Sequence, residues 1–102
     1  MTINKLSKNI EEELVKLKMK YGAEKLILFG SYARGDFSEG SDLDVVLIKN
    51  TNKRFIDRIG DILKIYNGDI PLEPLVYTPE EFKKMEDRDF IKTILKEGIE
   101  VG

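Results

Sequence analysis

The sequence contains no cysteine, no histidine and no tryptophan. Without cysteine there is neither a disulfide framework nor a thiolate metal site. Without histidine the commonest general base, the serine–histidine triad and the ordinary zinc site are all excluded. Chemistry in this chain must run on carboxylates, hydroxyls, Lys, Arg or a hard cation held by oxygen. Long apolar runs are also missing. The longest, Leu26–Phe29 and Val45–Ile48, have four residues each, against the roughly 20 needed to cross a bilayer. The opening MTINKLSKNIEEE turns acidic too early for a signal peptide, so the expectation is a cytoplasmic protein with no membrane partner. A basic stripe is lacking as well. The 17 Lys and Arg are scattered among 19 Asp and Glu, for a net charge of −2, which argues against a grip on long nucleic acid.

What is present suits one domain spanning 1–102, with 41% apolar residues. A domain of this size buries only about 60–65% of its unfolded surface, so a partner surface and a homo- or hetero-oligomer are expected. Ile3, Leu6, Ile10, Leu14, Leu17 and Tyr21 recur at helical spacing, with Gly22 placed to end the helix. Lys25–Phe29 reads as a buried strand entering the Gly30-Ser31 turn, and Tyr32–Arg34 as a short helix. Asp42–Lys49, rich in Val and Ile, reads as a second strand. The spacing over Lys53–Tyr66 puts Phe55, Ile59, Ile62, Leu63 and Tyr66 on one helical face. Ile70–Tyr77 is a third strand, and Pro71 and Pro74 assign it to a sheet edge or an irregular strand. Thr78-Pro79-Glu80-Glu81 is a capping box opening a helix to about Glu86, and a last helix runs over Asp89–Glu97, closed by Gly98. The fold class is α/β (α+β), a small mixed sheet covered by helices.

The stretch that bears on chemistry is Leu28–Ile48, LFGSYARGDFSEGSDLDVVLI. Glycine at Gly30 allows a phosphate to approach the backbone, and the start of a helix presents unpaired N–H groups. Ser31 can donate to a phosphate oxygen, or simply cap the helix. Strand alternation turns Asp42 and Asp44 to one face, at a Cα separation on the order of 6–7 Å. Two such carboxylates repel unless a cation lies between them, and Mg²⁺ takes oxygen ligands while keeping positions for water and phosphate. The alternative is a turn followed by an exposed strand residue, although Asp44 leads directly into the apolar Val45–Ile48. Glu73 shares a strand face with Leu75 and Tyr77, either as a third acid of a two-metal site or as a solvated edge residue. Arg34 lies three residues beyond Ser31, placed to meet a phosphate or to pair with an Asp and shape the loop. Phe37 reads as a packing residue rather than a platform for a base.

Together Gly30-Ser31, Arg34-Gly35 and Ser41-Asp42-Leu43-Asp44 reproduce the pattern G-S-x-x-R-G-x5-S-D-x-D. Seven defined residues at fixed spacing arise by chance at about one start in a billion. The pattern resembles the signature of the DNA polymerase beta-like nucleotidyltransferases, and within them the minimal nucleotidyltransferases. The resemblance extends to the leading helix, to Lys25–Phe29 and to Leu75–Phe82. It implies the superfamily's fold, an NTP substrate (ATP by common choice) and two Mg²⁺ ions. It assigns Gly30, Ser31, Arg34 and Ser41 to nucleotide binding, and Asp42, Asp44 and Glu73 to metal binding and catalysis. Most members carry Asp where Glu73 stands.

The resemblance also suggests the acceptor. Minimal members often pair with a HEPN-type toxin, which they modify by moving AMP onto a tyrosine, so a partner protein is the first expectation. Two others stand beside it: a non-catalytic module that neutralises its partner by contact, and adenylylation of a small molecule.

Overall fold

The computed structural model describes residues 7–102. Ile3 and Leu6 lie outside this range. In chain order the elements are α1 (Lys8–Tyr21), β1 (Lys25–Phe29), α2 (Ser31–Arg34), β2 (Leu43–Ile48), α3 (Phe55–Ile65), β3 (Leu72–Tyr77), α4 (Pro79–Lys84), α5 (Asp89–Glu97) and β4 (Ile99–Val101). The strands form one sheet in the order β3-β2-β1-β4. β1 runs antiparallel to both β2 and β4, and β2 is parallel to β3. A parallel pair needs a long return connection, which α3 supplies. The small mixed sheet with helices is as expected. The short β4 is a correction, since three residues after a helix-closing glycine carry no periodicity to read.

Alternation along the strands divides the core in two. Leu26, Leu28, Leu43, Val45, Leu47 and Val76 face one side, where α1 brings Leu14, Leu17 and Tyr21 and α3 brings Ile62. Ile27, Val46 and Ile48 face the other and meet Ile91 and Ile94 of α5. Each fully buried aliphatic side chain contributes about 1.5–3 kcal/mol. The helix ends follow local chemistry. Ser7 Oγ accepts from the Ile10 amide at 3.2 Å at the start of α1, and Gly22, at φ 78°, turns the chain out of it. At α4 the Thr78–Glu81 capping box forms in full, with Pro79 in the first turn.

On α3 the expected face is only partly right. Ile62 is buried, but Leu63 is 52% and Phe55 40% exposed, and the charged Arg58 is buried instead. Arg58 occupies that core position because each of its three guanidinium nitrogens donates a hydrogen bond. It donates to the Lys53 carbonyl at 2.8 Å, the Val76 carbonyl at 3.2 Å, and both Glu81 carboxylate oxygens at 2.7 and 3.2 Å. One side chain thus ties α3, β3 and α4 together.

β3 lies at the sheet edge, as its prolines indicate. The Leu43 amide bonds Pro71 O and the Lys49 amide bonds Tyr77 O, both at 2.9 Å. With the parallel register, these two bonds turn the odd-numbered residues of β3 toward β2 and the even-numbered ones outward. Pro74 therefore places its missing N–H on the open edge, and the outward Val76 carbonyl is taken by Arg58. Both features blunt an edge that could otherwise pair with another chain.

Candidate active site

Asp44 stands at the centre of a row that crosses the sheet. It is opposite Phe29 on β1 and in register with Glu73 on β3. Residues directly opposite in a sheet share a face, so Phe29, Asp44 and Glu73 project together on the face that α5 only partly covers. Asp42 lies just before β2, half-buried. Burial pushes the Asp44 carboxyl above its ordinary value, the negative charge of Glu73 adds to this, and Asp42 adds further, with Arg34 pulling the other way. Three acids thus press on one end of the sheet with too little positive charge to balance them.

Gly30 packs directly behind Asp44. Its backbone, at φ 76° and ψ −156°, lies in a region essentially reserved for glycine. A Cβ built there would fall 2.3 Å from Asp44 Oδ2. Two independent requirements, backbone conformation and space for the carboxylate, therefore call for glycine at one position. Gly30 is also the N-cap of α2, with its carbonyl accepting from the Ala33 and Arg34 amides at 3.1 and 3.0 Å. Ser31 begins α2 rather than capping it, so its hydroxyl is not committed to the cap.

The remaining motif residues shape the loop from α2 to β2. Arg34 Nε donates to Asp36 Oδ2 at 3.2 Å and Nη1 to Glu97 Oε1 at 3.4 Å, the loop-shaping arrangement of the two considered from the sequence. Ser41 Oγ accepts from the Ser38 amide at 2.9 Å. Phe37 stacks on Tyr32, with ring centroids 4.2 Å apart and planes 9° from parallel.

The structure brings Asp44, Glu73 and Gly30 together, with Asp42 and Arg34 at the margin. It also supplies an open cleft of about 500 Å³ lined by Phe29, Asp44, Leu72, Glu73, Pro74, Leu75 and Phe90. The apolar members of this cleft were not singled out in the sequence. The signal for Phe29 was its strand position two residues after Ile27. Phe90 offered none, because its place depends on how α5 packs.

The donors here are carboxylate oxygens alone, the set that suits a hard divalent cation. Among the described residues no three acidic side chains converge into a complete metal cage. Mg²⁺ commonly takes only part of its coordination from carboxylates and fills the remaining positions with water and substrate phosphate.

Comparison with known proteins agrees with this geometry. The family model described as a nucleotidyltransferase domain matches residues 7–101. A putative protein adenylyltransferase of Methanocaldococcus jannaschii is 34% identical over 93 residues, covering 89% of this chain and 92% of its own. A second from the same organism is 31% identical over 106 residues, covering 99% of this chain and all (100%) of its own. A third is 42% identical over 84 residues, covering 74% of this chain and 57% of its own. The crystal structure of a putative nucleotidyltransferase from Sulfolobus solfataricus superposes with a TM-score of 0.60 at 22% identity, over 97% of this chain and 80% of that one. At that identity the likeness speaks for the fold.

Proposed function

The chain belongs to the nucleotidyltransferase domain family, and from that premise we propose that it moves AMP from ATP onto a hydroxyl of a partner protein. The observation that carries the reading is the placement of Asp44, with Gly30 packed behind its carboxylate and Glu73 beside it in register. The names of the relatives, protein adenylyltransferases, support a protein as acceptor. The resemblance to minimal nucleotidyltransferases supports a HEPN-type toxin as that protein and an antitoxin role for this one. It also supports treating 1–102 as a single domain.

In this proposal Gly30 and Ser31 hold the triphosphate through backbone N–H groups and the Ser31 hydroxyl. Arg34 and Ser41 keep the adjoining loop in shape. Asp42, Asp44 and Glu73 would hold Mg²⁺, which when bound neutralises phosphate charge and lowers the pKa of the acceptor hydroxyl. The acceptor oxygen forms a bond to the α-phosphorus. The bond from that phosphorus to the bridging oxygen breaks, and pyrophosphate leaves with the electron pair. The hydroxyl proton passes to a carboxylate, for which Glu73, exposed beside Asp44, is the best placed. The protein's contribution is mainly position and charge, as in other phosphoryl transfers.

The test is incubation with Mg²⁺ and α-labelled ATP, in a lysate of the source organism, beside an Asp44→Asn control. A labelled protein present only with the wild type is the expected result. Equal labelling by the control, or no labelling by a wild-type preparation that binds ATP, refutes the proposal.

A further inference from the structure

The helix α3 carries more apolar surface than its own fold covers. At about 100° per residue, Ile59, Leu63, Ile56 and Gly60 follow one another around the helix over an arc of about 100°. This arc adjoins the buried Ile62. The nonpolar surface from Ile65 round to Gly60 therefore spans roughly 220°, broken only by Arg58, where about 100° suffices to seat a helix on a core. The surplus is open. Ile56 is 64% and Leu63 52% exposed, Ile59 packs against neither half of the core, and a Cβ built on Gly60 meets nothing within 4 Å. α1 lies along the other side of α3, where the charge of Asp61 acts on Tyr21 and Ile65 packs with the α1 residues, so it leaves this arc uncovered. A contiguous exposed apolar face of this kind marks an interaction surface.

The charges bordering the arc identify what covers it. Asp57 and Lys64 lie on one border, just beyond Gly60 and about 20° apart, and both are exposed. Asp57 pairs only with the surface residue Arg54, and Lys64 makes no ion pair among the described residues. When α3 is set antiparallel to a copy of itself, with the twofold axis near Ile59-Gly60, the same border of each helix meets its equivalent. Asp57 of each copy then faces Lys64 of the other. Ile56 faces Leu63, and Ile59 faces Gly60, the one position in the arc without a side chain. A parallel pairing would instead set Asp57 against Asp57 and Lys64 against Lys64. From this self-complementarity we propose that the exposed face of α3 is a homodimer interface, an isologous antiparallel pairing with a second copy of this chain. The inference stands independently of the function proposed above. α3 covers the sheet face that bears Leu43, Val45 and Leu47, whereas Asp44 and Glu73 project from the opposite face, so the dimer leaves both sets of carboxylates open.

The test is sedimentation equilibrium on the full chain. One helix face is smaller than a standard interface, so association belongs to the weak class and is measured from about 10 μM to 1 mM protein. Low salt, about 50 mM, keeps the border charges from being screened. The weight-average mass is expected to rise toward twice that of the chain and no further, because a twofold pairing closes on itself. Asp57→Lys and Lys64→Asp, each alone, set like charges across the interface and should weaken association at least about fivefold. The double variant carrying both changes restores opposite charges and should bring the dimer back. Both side chains are exposed, so the variants are expected to fold, and circular dichroism reports this directly. A wild type that stays monomeric up to 1 mM overturns the proposal and leaves the face to a different protein. Association that grows past the dimer overturns the closed pairing. A dimer that neither single variant weakens forms through another surface, and one that the double variant fails to restore is not antiparallel about α3; either result overturns the proposal.

Discussion

Replacing Gly30 by alanine should separate folding from activity. The added Cβ falls 2.3 Å from Asp44 Oδ2, where ordinary contact begins at 3.4 Å, so the carboxylate must move by about 1.1 Å. The clash is with the end of a side chain rather than with backbone, and the sheet can survive it. The backbone at φ 76° adds strain, costing about 1–3 kcal/mol for a non-glycine residue. For a domain of this size that lowers Tm by roughly 5–20 °C. A misplacement of about 1 Å at a reacting centre costs on the order of 100-fold in rate. The expectation is a folded protein with label transfer from α-labelled ATP reduced about 100-fold. Transfer would be measured well below the Tm of the variant, with circular dichroism confirming the fold. The cost should also disappear in a double-mutant cycle, with Gly30→Ala adding little to Asp44→Asn because both act on one carboxylate. Activity within threefold of wild type, or full additivity with Asp44→Asn, would refute the reasoning.

Gly60 makes the opposite prediction. It lies inside α3 at ordinary φ, with nothing within 4 Å of a built Cβ, so Gly60→Ala should stabilise the protein by about 0.5–1 kcal/mol. A differential scanning experiment should show a higher Tm with unchanged activity, and a lower Tm would contradict the open environment. Arg58→Met removes the guanidinium donor from the Val76 and Lys53 carbonyls and leaves Glu81 with only the Thr78 amide, and should cost about 2–4 kcal/mol in urea unfolding. Stability should also fall with acid through Glu81. Hydrogen bonding to Arg58 holds its carboxyl below the ordinary 4.5, so the unfolded chain binds the proton more readily. The contribution is complete above about pH 4.5 and is lost as pH falls through the lowered value. Glu81→Gln should flatten that acid limb in a series of urea midpoints, and an unchanged slope would show that the pair does not matter.

Much of the site was legible because its residues are close in sequence. Gly30 to Asp44 is one turn, one short helix and one loop, so spacing alone aligns its parts. The departure at Glu73 was visible too, but its partnership with Asp44 was not, since it depends on a parallel register between strands separated by α3. The face of α3 was misjudged for a similar reason. Periodicity counts Leu63 as apolar and Arg58 as charged, whereas burial depends on whether the other elements can satisfy a guanidinium, and here three acceptor groups do.

The amino-acid sequence alone determined the first three strands, the helix boundaries at Gly22 and Thr78, the family resemblance and the run of residues that carries the motif, because capping, alternation and spacing act over a few bonds. Only the tertiary structure decided that Glu73 stands beside Asp44, that β4 closes the sheet on β1, that Arg58 is buried and that Phe29 and Phe90 wall a cleft. Those outcomes depend on register and packing between segments far apart in the chain, where each side chain's place is set by the partners that the rest of the fold delivers to it.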